Sequence, residues 1–420
     1  MLTIWLLFIL IKIFKFLLME SINVILFDAE ERKELLPLTY TRPVADLRIG
    51  ILKIFRKWEI ALKSRVSFLT EEYLSKKYIL EIKADNLLIN GSLLPNKNII
   101  KEIFKLEQNE AIVYNDSLLA VRLNRKDTIR LNETDFGHIS IRKISDFKCV
   151  NKVNHLWDLF QMNDAELRND FNVLTKGKKS KELSSTNTII GQGEIFIEEG
   201  ATIEGAVLNV GNGPIYISKG AEVMEGSMIR GPFFLGSNST VKMGAKIYGA
   251  TSIGENCKVG GEVSNVIFQA FSNKGHDGFL GNAVIGEWCN IGADTNNSNL
   301  KNNYAPVKVW NYIKGGFENT GMQFCGLFMG DYSKTGINTM FNTGTVVGVS
   351  ANTFGPGFPR TFVPSFSWGG HQGFSTFKLE KVFETARVVM ERRGLEFGDV
   401  DKDILKHVYN LTEGYRAWEK

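Results

Sequence analysis

ISKGAEVMEGSMIRGPFFLGSNSTVKMGAKIYGATSIGENCKV, Ile217–Val259, places an aliphatic residue at every sixth position: Ile217, Val223, Ile229, Leu235, Val241, Ile247, Ile253 and Val259. An α-helix repeats every 3.6 residues and a half-buried strand every two, so neither sustains a period of six. A six-residue beat with glycine just past many of the aliphatics fits a parallel β-helix. Each flat face turns one aliphatic inward, each corner is a tight turn, and three faces make one coil. The same step joins Ile197 to Ile203 and Ile285 to Ile291, and Met329, Thr335, Phe341 and Val347 resume it later. Eight aliphatics in unbroken register make coincidence in a glycine-rich chain remote.

The beat breaks twice, at 264–280 around His276 and at 296–327, a long insertion. Loops that leave a rigid solenoid are where binding groups are expected. Beyond Phe377, FKLEKVFETARVVMERRG and DKDILKHVYNLTEGY read as amphipathic helices that cap the open end of the coil or pack on a neighbour.

Upstream, INVILF (22–27) has the pattern of a strand buried on both faces. LLPLTYTRPVADLRIGILKIFRKWE runs from a proline-containing loop into a helix, and further short apolar runs follow at 66–70, 86–91 and 110–115. These alternations predict an α/β layer domain with some antiparallel pairing, closed by an amphipathic helix over 155–174. A charged linker, KGKKSKELSS, occupies 176–185. The expected organisation is an apolar extension 1–18, an α/β domain 19–175, a β-helix 186–375 and a helical tail 376–420.

The leader MLTIWLLFILIKIFKFLL carries Lys12 and Lys15 inside its apolar run and has no small-residue cleavage site. It reads as a short anchor or uncleaved signal, or as an upstream extension with Met19 as the start. The second reading is preferred, because a core strand follows Met19 at once.

The chain has 420 residues, a net charge of +4 and 23% charged residues, so no basic field argues for nucleic acid. Four cysteines, Cys149, Cys257, Cys289 and Cys325, show no metal or disulfide spacing and are read as buried thiols in a reducing cytosol. Among five histidines only His276 lies in the repeat, which argues against a His-rich catalytic metal there.

An α/β domain followed by hexapeptide repeats resembles the bifunctional enzymes that make UDP-N-acetylglucosamine. The resemblance covers about Met19 to Gly348 and is most specific at HDGFLGNAVIGEWCNIGADTNNSN, 276–299. In that family the acetyltransferase site reads H-x-x-[YF]-x-G, an I-G step, N-I-G-A-x-T, and then an asparagine. The resemblance implies a left-handed β-helix, a homotrimer with sites between neighbouring coils, acetyl-CoA as co-substrate and a cytoplasmic location without stable membrane binding. It places His276 as general base, Phe279 against the sugar phosphate, and Asn290 and Asn299 against the amino sugar and acetyl group. Ala293 falls where a backbone amide lies near the thioester carbonyl. Arg230, Lys246 and Lys274 are candidates for the phosphate, without a clean register.

The chemistry agrees with that assignment. Acetyl transfer needs a neutral amine, and a histidine with an ordinary pKa of about 6.5 accepts the proton as nitrogen attacks. A corner amide of a stiff coil supplies a preformed donor to the oxyanion. A lone histidine is more often structural, and it is the surrounding motif that argues for catalysis here.

The N-terminal half departs from the family. The phosphate-binding G-x-G-T-R loop is replaced by FDAEERKELLPLTYTRP, and the Gly-Asp that binds Mg²⁺ reads NGS at 90–92. Two readings stay open. The domain binds UTP in an altered way, with Arg32, Arg42 and Arg48 on phosphates and Mg²⁺ at the pyrophosphate. Or it is a degenerate domain that supports the trimer or binds a regulator. For the whole chain the expectation is N-acetylation of glucosamine 1-phosphate coupled to a sugar-1-phosphate nucleotidyltransferase step. The rivals are a nucleotidyltransferase with a purely structural β-helix and a non-catalytic scaffold.

Overall fold

The computed structural model describes residues 22–131, 139–144 and 150–419. The apolar leader 1–18, His138 and Cys149 lie outside the described residues. The described residues divide into two compact units, the first made of those within 22–30, 43–46 and 54–153. The second takes in Glu31–Arg42, Leu47–Lys53 and 154–419.

The first unit is built on a six-stranded sheet: β1 (Asn23–Phe27), β2 (Val66–Leu69), β3 (Asp85–Asn90), β4 (Glu110–Tyr114), β5 (Ser117–Asn124) and β6 (Ser140–Lys143), in the order β2-β1-β3-β5-β4-β6. β1 pairs in parallel with β2 and β3, while β3 and β4 run antiparallel to β5. Every residue of β1 is buried, which is why its sequence is a continuous apolar run. Ile25, Phe27, Leu88, Ala111, Val121 and Leu123 form one core cluster. Helix α1 (Ile54–Leu62) buries Ile54, Trp58 and Leu62, and the Trp58 indole donates to the Leu93 carbonyl at 2.8 Å.

The second unit is a parallel β-helix of about ten turns with short C-terminal helices. The six-residue aliphatics line its bore: Ile217, Val223, Ile229, Leu235, Val241, Ile247, Ile253 and Val259 belong to one buried cluster. Each is worth roughly 1.5–3 kcal/mol of burial, and the stack places them in van der Waals contact coil upon coil. At the first coil the linker acts as an edge strap: Lys181 N donates to the Ile197 carbonyl at 2.8 Å, and Ile197 N donates to Ser180 Oγ at 2.9 Å.

The coil does not stop where the hexad falters. Glu262–Phe268 and Phe279–Ile285 are single strands that pair in parallel, with Val263 opposite Leu280 and Phe268 opposite Ile285. Each turns a corner through an asparagine in the left-handed region, Asn265 at φ 56° and Asn282 at φ 47°. The Asn265 corner shortens the step from Val263 to Phe268 to five residues, and the Gly260–Gly261 corner before it leaves Val263 only four after Val259, so the beat shifts phase without interruption. The second break is a true insertion. It leaves after Asn297, forms an antiparallel hairpin of Lys308–Asn311 and Gly316–Asn319, and returns at Leu327.

The helix expected to close the α/β domain, α2 (Asp158–Thr175), lies in the second unit and packs on the β-helix. Leu167 and Phe171 join Phe196, Tyr216 and Phe234, aromatics that face outward from the coil and need a cover. Asn163 Nδ2 donates to the Ala250 carbonyl at 2.9 Å, and Asp170 Oδ2 accepts from the amides of Ile51 and Leu52. The tail helices α3 (Leu379–Glu391) and α4 (Asp399–Leu411) lie along the coil, with Tyr332 and Met390 in buried contact and Phe366 edge-on to Tyr409. Among the described residues no helix is long and apolar enough to cross a membrane.

Candidate active site

Asn273–Lys274 ends one face of the coil, Phe279 begins the next, and His276 stands exposed on the corner between them. The corner passes directly over Gly261, whose φ is +71°. A Cβ on Gly261 would lie 2.8 Å from Asp277 Cα, from the His276 carbonyl and from Lys274 Nζ. Glycine is therefore required there for the histidine turn to close on the coil beneath.

Lys274 occupies a position that is aliphatic elsewhere in the stack, for its register partner in the preceding coil is Val259. Its stem fills the bore and its Nζ emerges at the corner, donating to the carbonyls of Gly260 at 3.0 Å and His276 at 2.9 Å. Burial pushes its pKa down to about 8, against the pull of Asp277 and Asp294. The charge therefore costs the fold stability below about pH 8. That cost is relieved between about 8 and the ordinary 10.5, where the folded protein sheds the proton before the unfolded chain does. Buried Cys257, Cys289 and Cys325, each pushed up to about 12 by desolvation, act in the opposite sense above pH 9. A Lys274→Met comparison isolates the lysine. The unfolding free energy of the wild type minus that of the variant should rise by roughly 3 kcal/mol between pH 7 and 11. A flat difference in urea unfolding would remove the buried-charge account.

Phe279 and Asn299 meet over Gly281, where a Cβ would lie 2.5 Å from Phe279 Cζ and 2.8 Å from Asn299 Nδ2. Asn296 Oδ1 accepts from Phe279 N at 2.7 Å, and Asn299 Nδ2 donates to Asn282 Oδ1 at 2.8 Å. The Ala293–Asp294 turn stacks on the histidine turn, since Asp294 N donates to the Asp277 carbonyl at 3.0 Å. The coil thus gathers His276, Phe279, Ala293 and Asn299 along one corner and its adjoining face. Asn290 lies exposed on the preceding face, bridged to Asn273 and Lys334.

Lys246 is exposed in the column of Phe279, paired in register with Glu262, which pairs with Phe279. Two coils separate them, roughly 10 Å at the usual strand spacing. Tyr248, whose hydroxyl donates to Glu262 at 2.6 Å, shares this face. Glu262 and Tyr248 escaped the sequence reading. No fixed step announces them, for Glu262 stands sixteen residues after Lys246 and seventeen before Phe279, against eighteen in the regular coils.

The three N-terminal arginines have other surroundings. Arg42 is buried, with Nη1 on Glu287 at 2.7 Å and Nη2 on Asp331, both carboxylates of the β-helix. Arg48 pairs with Glu255, donates through its backbone amide to Gln269 at 2.7 Å, and lies over the Phe234 ring. Arg32 is buried and donates to the Thr39 carbonyl at 2.8 Å. For Arg42 or Arg48 to reach a phosphate, each would have to leave a carboxylate.

Residues 24–179 match the sequence family described as sugar nucleotidyl transferase. The chain is also 32% identical over 170 residues to a bifunctional sugar-1-phosphate nucleotidylyltransferase/acetyltransferase of Sulfurisphaera tokodaii. That match spans 40% of this chain and 40% of the relative. A bifunctional protein GlmU of Methanocaldococcus jannaschii is 38% identical over 96 residues, 22% of this chain and 23% of that protein. Among solved structures, the polysialic acid specific acetyltransferase NeuO aligns with 46% of this chain and 87% of its own, at 15% identity and a TM-score of 0.28.

The NGS stretch of the first unit is not arranged as a Mg²⁺ site by its own residues. Asn90 Oδ1 accepts from Ser92 N at 2.9 Å and from Ser92 Oγ at 2.7 Å, closing the turn on itself, and the stretch has no aspartate of its own. Mg²⁺ is ordinarily held by one or two carboxylates.

Proposed function

We propose that the β-helix transfers an acetyl group from acetyl-CoA to the amine of an amino-sugar 1-phosphate, glucosamine 1-phosphate, in UDP-N-acetylglucosamine formation. The observation that carries this reading is the exposed His276 on a corner braced by Gly261 and Lys274, with Phe279 and Asn299 set beside it over Gly281. His276 takes the amine proton as nitrogen attacks the thioester carbonyl, and CoA leaves as the thiol. The Ala293 turn supplies the backbone donor to the oxyanion. Phe279, Asn299 and Asn290 bind the sugar and acetyl group, and Lys246 holds the phosphate from its place in the Phe279 column. Lys274, aimed at backbone carbonyls, acts by positioning the His276 turn.

The active form in this reading is a cytoplasmic homotrimer without membrane attachment, each site completed by a neighbouring coil. The first domain acts on the resulting sugar 1-phosphate with UTP. The engaged Arg42 and Arg48, with NGS in place of the family's Gly-Asp, favour a second reading for that domain alone, a support that has lost nucleotidyl transfer.

The test is acetyl-CoA-dependent thiol release with glucosamine 1-phosphate as acceptor, followed by UTP and Mg²⁺ in a separate assay. Thiol release that requires the acceptor is the expected result. Its absence from correctly assembled protein would remove this acceptor.

A further inference from the structure

Among the described residues, Glu34, His155 and Glu318 bring one ligand atom each to within 4.8 Å of one another. They come from three separate parts of the second unit. Glu34 ends the helical turn Glu31–Glu34, His155 precedes α2, and Glu318 lies on the hairpin strand Gly316–Asn319. All three are partly buried.

Each side chain is held in place. Asp158 Oδ2 accepts from the amides of Asn154 and His155 at 2.8 and 2.9 Å, and the His155 ring stacks on Trp157 at 4.5 Å. Asn311 Nδ2 donates to Glu34 Oε2 and to Glu318 Oε2, both at 2.7 Å. Its Oδ1 accepts from the amides of Ile313 and Lys314, which settles which way that amide points. Lys314 Nζ pairs with the other oxygen of Glu318. Hydrogen bonds of this kind are how ligating carboxylates are oriented around a metal.

His155 Nδ1 is buried without a hydrogen-bond partner, 3.7 Å from Glu34 Oε2. That separation is too long for a shared proton. It is close to the edge of about 3.4 Å between two ligands of a tetrahedral cation at about 2.1 Å. We propose that Glu34, His155 and Glu318 form a site for a divalent first-row transition cation of the zinc class. One imidazole nitrogen and two carboxylate oxygens are a borderline donor set, which fits zinc, cobalt or manganese better than magnesium or calcium. Three protein ligands leave a position for water. The ion clips the Glu31–Glu34 turn and the inserted hairpin to the start of α2, and is independent of the His276 corner.

The test uses untagged full-length protein, stripped with chelator and titrated with Co²⁺ while visible absorbance is followed. One Co²⁺ per chain, with ligand-field bands displaced by Zn²⁺, is expected for the wild type. His155→Ala and Glu318→Gln should each weaken binding at least 100-fold and abolish the rise in melting temperature that Zn²⁺ gives the wild type. Glu34→Gln, which leaves a side chain able to accept from Asn311, serves as a second carboxylate variant if Glu318→Gln folds poorly. Wild-type protein that takes up no Co²⁺ overturns the proposal, and the cluster then serves only the packing of the hairpin on the start of α2. Equal uptake by folded His155→Ala also overturns it.

Discussion

His276→Ala is expected to lower acetyl-CoA-dependent thiol release by about 100- to 10,000-fold, the usual contribution of a positioned general base. The side chain is exposed, and the bonds that hold its turn run through backbone: its carbonyl accepts from Lys274 and Asp294 N donates to the Asp277 carbonyl. Alanine keeps every one of them, so the coil, its melting temperature and its oligomeric state should not change. The decisive pattern is a collapse of kcat at nearly constant KM for acetyl-CoA, with circular dichroism and sedimentation unaltered. Full turnover in the variant would show that another group takes the amine proton. Lys274→Met separates base from brace. It should lower kcat less than His276→Ala does, because the imidazole is still present but its turn is less well fixed.

The second large effect concerns stability. Asp331→Ala should destabilise the β-helix unit by about 3–5 kcal/mol, the usual result of leaving one partner of a buried ion pair alone. Asp331 is buried and accepts from Arg42, from Thr41 Oγ1 at 2.5 Å and, through its other oxygen, from Glu287 N at 2.7 Å. Glu287 faces Arg42 and also Lys53 at 3.3 Å, so it is shared between two cations. The melting temperature should fall by on the order of 10 °C. Asp331→Leu combined with Arg42→Met should recover much of that loss, since removing both charges spares the desolvation cost. A single variant as stable as the wild type would mean that the guanidinium finds water or another carboxylate.

The N-terminal arginines were the least legible part of the sequence. Arg32, Arg42 and Arg48 could be read as phosphate ligands or as part of a degenerate domain, because single arginines carry no sign of their partner. Thr41 bonds Asp331 across 290 residues, and Arg48 meets Glu255 across 207. No local pattern records such pairings. The same holds for Glu34, His155 and Glu318, which read singly as surface charges and one lone histidine. The amphipathic helix over 158–175 was legible as a helix but not in its partner. Its apolar stripe of Leu167 and Phe171 would suit any apolar surface, and the outward aromatics of the coil, Phe196, Tyr216 and Phe234, are what it covers.

The β-helix itself was determined by the sequence alone. Burying one aliphatic per flat face is a local demand repeated at a fixed step, and only stacked coils meet it for every repeat together. The corner bearing His276 was not legible from that register, which shifts phase after Val259; the pairing of Lys274 with Val259 and of Phe279 with Glu262 is what places it between two faces. What the repeat could not state is how the coil bends its own rule. Lys274 sits where an aliphatic belongs, and only the three-dimensional arrangement shows its ammonium leaving the bore to hold two carbonyls. Periodicity comes from burial along the chain and is written in sequence. The pairing of buried charges depends on which distant segments dock together, and that was decided by the tertiary structure.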